Sequence, residues 1–186
     1  MRQLKRRLLL VGAVICLIAA FFVVWEAGLP ERATYTGFVA AGEEYAPEVN
    51  AIAPPFEART LMESTLRLGD LRGQVLLINF WATWCEPCKA EMPDLEAVYE
   101  TYQARGLRVL GVNLGEQKAD VQAWVKQLGL TFDIVLDDGQ RIASLYQIRG
   151  QPSSYLVAPD GVIMQIYFGP TIRQSLEAAI APLLPS

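Results

Sequence analysis

The segment that leaves the fewest folding options is VLLINF, residues 75–80, which is apolar at nearly every position and runs on into WATWC, residues 81–85. A strand that is apolar on both sides must be covered on both sides, and in a domain of this size helices are the usual cover. The rest of the chain supplies them. Residues 86–102 carry Met92, Leu95, Val98, Tyr99 and Tyr102 at helical spacing before Gly106, and LRVLGVNL, residues 107–114, reads as a second buried strand. A helix over 118–128 stops at Gly129, and a short strand over 132–136 leads to the turn Asp137-Asp138-Gly139. A helical stretch over 141–146 follows, then strands over 154–157 and 162–168 joined by the hairpin turn APDG, and a last helix over 173–180. Short strands over 56–59 and 66–68 predict an opening hairpin. The alternation argues an α/β sandwich around a mixed sheet, with the globular domain spanning residues 53–186.

The N-terminal part is of another kind. Arg2, Lys5, Arg6 and Arg7 precede an uncharged apolar run, residues 8–25. As a helix that run spans about 27 Å, close to a bilayer core. We expect residues 1–7 to form a cytoplasmic basic stub, 8–25 a transmembrane anchor, and 26–52, rich in Pro, Gly and Glu, a tether. The catalytic domain then lies outside a bacterial cell membrane, in the periplasm or its equivalent. A cleavable signal peptide is the competing reading. Ala19-Ala20 and Ala27-Gly28 offer cleavage points, against which stand the length of the run and the bulky residues 21–24. Setting aside the four leading basic residues leaves 12 basic against 20 acidic ones, without a basic stripe. Such a domain is unsuited to nucleic acid.

The chain has three cysteines and no histidine. Cys16 falls in the expected anchor, so Cys85 and Cys88 form the only CxxC, too few for a structural disulfide framework. Without histidine a zinc site needs carboxylate or intersubunit ligands, an iron–sulfur cluster lacks cysteines, and Lys89 stands where haem attachment wants histidine. Redox chemistry remains, needing no metal or cofactor beyond a redox-active Cys85–Cys88 disulfide. Cys85 opens a helix, where unpaired N–H groups and the helix dipole favour its thiolate, the species that attacks a disulfide. Cys88 sits one turn on, placed to resolve the mixed disulfide, and Glu86 and Pro87 between them tune the pair.

NFWATWCEPCKAEMPDLE, followed some sixty residues later by IRGQPSSYLVAPDG, resembles the TlpA/ResA group of membrane-anchored oxidoreductases. The resemblance implies a thioredoxin fold, a mixed central sheet flanked by helices. It adds an N-terminal hairpin and a central insertion, preceded by one transmembrane helix. It implies that Pro152 is a cis-proline beside the disulfide, with Gln151 contacting substrate in place of the threonine often found there. It also makes Glu91 a proton relay for Cys88, against the plainer reading of a solvated helix-surface glutamate. Asn79 stands where ordinary thioredoxins bury an aspartate. Trp84 contacts substrate; Trp81 either walls the site or belongs to the core.

By the same resemblance the clients are disulfides such as those of apocytochrome c in cytochrome c maturation, and the electron donor is a membrane protein of the CcdA/DsbD kind. CEPC is shared with reductive members; a thiol oxidase or isomerase is the alternative within the fold. Peroxide reduction is disfavoured, because Ala82, not Thr or Ser, stands three residues before Cys85. A non-catalytic docking or copper-chaperone domain finds no support in the scattered Met62, Met92 and Met164.

Overall fold

The computed structural model describes residues 45–185. The expected anchor, 8–25, lies outside the described residues; among those described, no helix is long and apolar enough to cross a membrane. The strands are β1 (Glu57–Thr60), β2 (Thr65–Arg67), β3 (Val75–Trp81), β4 (Leu107–Asn113), β5 (Asp133–Leu136), β6 (Ser153–Val157) and β7 (Ile163–Phe168). The helices are α1 (Glu86–Tyr102), α2 (Lys118–Leu128), α3 (Arg141–Leu145) and α4 (Arg173–Ile180).

One sheet of order β2-β1-β5-β4-β3-β6-β7 contains all seven strands. The central run β5-β4-β3 is parallel, and β6, β7, β1 and β2 attach to its flanks antiparallel. The opening hairpin is present, with Glu57 opposite Arg67, and docks on β5.

Side chains alternate across a strand, and in β3 that parity sorts the core. Val75, Leu77 and Trp81 join Met92, Leu95 and Val98 of α1 and Leu176 and Ile180 of α4 on one face. Leu76, Ile78 and Phe80 join Phe56, Ile142, Tyr146 and Tyr155 on the other. Each such side chain contributes about 1.5–3 kcal/mol on burial, so both faces hold the sheet. Trp81 is core: it is fully buried and its ring stacks on Trp124 at 4.5 Å. Gly111 on the neighbouring strand makes room for it; a Cβ there would come within 3.0 Å of the Trp81 indole nitrogen.

Residues 45–52, read from sequence as the end of the tether, pair with the domain. The Asn50 N–H donates to Ile163 O, the Ile163 N–H to Ala51 O and the Ala53 N–H to Gly161 O, each at 2.9 Å. These bonds cover the leading end of β7, whose remaining outer edge has no strand partner among the described residues.

Candidate active site

The parallel strand β3 delivers the chain to one end of the sheet, where residues 82–84 turn into α1. Cys85 is the N-cap of that helix, with extended backbone (φ −89°, ψ 100°), and its sulfur accepts the Cys88 N–H at 3.2 Å. Cys85 and Cys88 are joined as a disulfide with Cα atoms 5.2 Å apart. Cys88 is fully buried and Cys85 almost so. The helix N-terminus that the sequence implied for Cys85 is therefore present, and its N–H groups face the sulfur. Glu86 and Pro87 lie exposed in the first turn, and Trp84, immediately before the pair, is 68% exposed.

The turn before Cys85 is tied from the side. Glu116, in the loop after β4, accepts the Thr83 N–H and the Asn113 side-chain amide at 2.7 Å each, and also the Thr83 hydroxyl. The Glu116 N–H in turn donates to Asn113 Oδ1 at 3.1 Å. Sequence reasoning did not single out Glu116, because the residue it holds lies 33 positions away.

Glu91 follows Cys88 by three positions and so shares its helix face. It is buried, which overturns the solvated-surface reading. Asn79 has the β3 parity of Leu77 and Trp81, so it points toward α1. Its amide donates to Glu91 Oε1 at 2.7 Å and to Ser154 Oγ at 2.9 Å. The Thr171 N–H and hydroxyl both reach Glu91 Oε2, at 2.7 and 3.1 Å. One turn further along α1, Asp94 accepts the Arg173 N–H at 3.0 Å. Burial raises the Glu91 pKa above the ordinary carboxylate value, and the Thr171 and Asn79 donors only partly offset it. Thr171 and Ser154 were not foreseen. A threonine just before a helix reads as an N-cap, yet here it serves Glu91.

Pro152 precedes Ser153, which pairs with Phe80 of β3, so it stands at the same end of the sheet as the disulfide. The Gln151–Pro152 peptide bond is cis. The Pro152 carbonyl accepts the Gly169 N–H at 2.9 Å, and the Gly150 carbonyl accepts the Ser153 hydroxyl at 2.8 Å. Between them, the main-chain N–H and C=O of Gln151 have no partner among the described residues. No cluster of side chains among the described residues could hold a metal ion.

A seven-stranded mixed sheet with a CxxC disulfide at a helix start and a cis-proline at the same sheet end defines a thiol–disulfide protein of thioredoxin fold. Comparison with known proteins agrees and goes further. The AhpC/TSA family model matches residues 49–166. The chain is 34% identical over 151 residues to the thiol-disulfide oxidoreductase ResA of Geobacillus kaustophilus, covering 81% of this chain and 86% of that one. It is 30% identical over 177 residues to ResA of Bacillus subtilis, covering 95% and 92%. Solved structures agree in fold. A thiol:disulfide interchange protein of the thioredoxin family from Chlorobium tepidum superposes with TM-score 0.66 at 26% identity, over 71% of this chain and 94% of that one. StoA from Bacillus subtilis superposes with TM-score 0.60 at 28% identity, over 67% and 95%. The chain belongs to the AhpC/TSA family and, within it, to the ResA thiol–disulfide oxidoreductases.

Proposed function

We propose that this oxidoreductase works as a reductase of client-protein disulfides outside the cytoplasmic membrane. Residues 8–25 anchor it, 1–7 lie in the cytoplasm, and the tether runs from residue 26 to the 45–52 segment that pairs with the domain. The observation that carries the proposal is the meeting, at one sheet end, of a disulfide on a helix start with a cis-proline loop whose Gln151 main chain has no partner among the described residues. In its dithiol form the Cys85 thiolate attacks one sulfur of the client disulfide, forming a mixed disulfide and expelling the first client thiolate. The Cys88 thiolate then attacks the Cys85 sulfur and expels the second. Two electrons have passed to the client, the client thiolates take up protons, and Cys85–Cys88 is left as the disulfide described here.

Glu91 serves Cys88 as proton donor and acceptor. Its buried carboxyl, with raised pKa, holds a proton to higher pH than a solvated glutamate does. Glu86 and Pro87 tune the pair, while Trp84 and Gln151 meet the client. The dithiol is regenerated by a membrane thiol donor of the CcdA/DsbD kind. Kinship to ResA and the shared CEPC support apocytochrome c cysteines as clients, in cytochrome c maturation.

In cells, Cys88→Ser protein should accumulate mixed disulfides whose client half can be identified, while Cys85→Ser protein should neither trap clients nor reduce a test disulfide. Full reducing activity in Cys85→Ser protein would defeat the assignment. Faster oxidation than reduction of client thiols would reverse the direction, and peroxide consumption by the purified protein would replace the reaction class.

A further inference from the structure

Beside the cis-proline loop a groove of about 530 Å³ opens between the 146–153 segment, the end of β7 and Pro47. Its size lies within the usual range for ligand clefts. Three features give it a character of its own. Arg149 in its lining is exposed and makes no hydrogen bond or ion pair among the described residues. No carboxylate of the described residues lines it, although the chain as a whole has more acidic than basic residues. Phe168, opposite Ser153 in the β6–β7 register, is 82% exposed on the groove's edge.

The groove is continuous with the exchange site, because Pro152 and Gln151 belong to both. The unpaired main chain of Gln151 can take one residue of an extended client as a strand partner. Arg149 stands two residues before Gln151 and lines the same groove, so a client segment held at Gln151 passes along the stretch that carries the guanidinium.

We propose that this groove is a specificity subsite for an extended client segment carrying an acidic side chain close to its disulfide cysteine. Arg149 receives the carboxylate, and Phe168 lies along the segment's apolar atoms. The proposal rests on the reductase reading above and names which clients that reaction prefers.

The test uses the full chain in its dithiol form, in single turnovers against two mixed-disulfide peptides. They are identical except for Asp or Lys placed two residues on either side of the cysteine, and hydroxyethyl disulfide serves as a small uncharged control. The Asp peptide should react about three-fold faster at low ionic strength, with the advantage shrinking as salt is added. Arg149→Glu should reverse the preference and leave the hydroxyethyl disulfide rate unchanged. Phe168→Ala should slow both peptides alike and spare the small disulfide. Equal rates for the two peptides in the wild type, or a preference that survives Arg149→Glu, would overturn the subsite alone. Failure to reduce any of the three disulfides would overturn the reductase reading and the subsite with it.

Discussion

Glu91 shows how burial and hydrogen bonding compete over a single proton. Three donors converge on its carboxylate, yet removal from water outweighs them, and the pKa is raised. A carboxyl whose folded-state pKa exceeds its unfolded value binds protons more tightly in the native state, so it stabilises the fold at low pH and loses that contribution as pH rises. Wild-type protein should therefore lose stability relative to Glu91→Gln as pH climbs above about 4.5, the ordinary value. Thermal melts of both proteins at several pH values measure this, and a difference independent of pH would count against it. The sequence left Glu91 open between relay and surface residue. Its position three after Cys88 was legible, but its burial depends on Thr171, 80 residues away, and no local pattern announces such a partner. The same holds for Glu116 and Thr83.

At the scale of elements, spacing was a good guide wherever packing obeys a simple period. The 86–102, 118–128 and 173–180 helices have the extents their apolar spacing implies, and both buried strands fall where continuous apolar runs place them. Strand parity also explains why Asn79 could be assigned no partner from sequence: it shares its parity with apolar Leu77 and Trp81, and only the helix packed above them makes the amide useful. Gly111 is the less legible case. A glycine within a strand pattern suggests a close approach by something unnamed, and here that something is the indole of Trp81 flanked by Phe132 and Ile134. In Gly111→Ala the new methyl would lie 2.9 Å from Phe132 and 3.1 Å from Ile134. Overpacking of this sort costs about 1–3 kcal/mol. Denaturant unfolding should show the midpoint lowered with the slope kept; an unchanged midpoint would mean that these neighbouring side chains yield freely.

For the molecule as a whole, the fold class was readable because a strand apolar on both sides excludes most architectures, while the lower boundary of the domain was not. Residues 45–52 lack an apolar period, and their attachment is made by backbone groups, which every residue carries and composition cannot report. Each such bond contributes about 0.5–1.5 kcal/mol. A chain beginning at Ala53 loses two of them and should accordingly melt a few degrees below one beginning at Tyr45, a difference of about 1–3 kcal/mol. Equal melting temperatures would show that the pairing with β7 adds nothing.

The last helix is a dependent structure. α4 has eight residues, and its N-cap, Ile172, offers no side-chain acceptor, so the amides at its start are received by Glu91 and Asp94 of a helix laid down some eighty residues earlier. A segment this short is not helical in water by itself. The C-terminal turns thus lean on side chains from a helix in the middle of the polypeptide, so a substitution that loosens α1 loosens the chain's last helix with it.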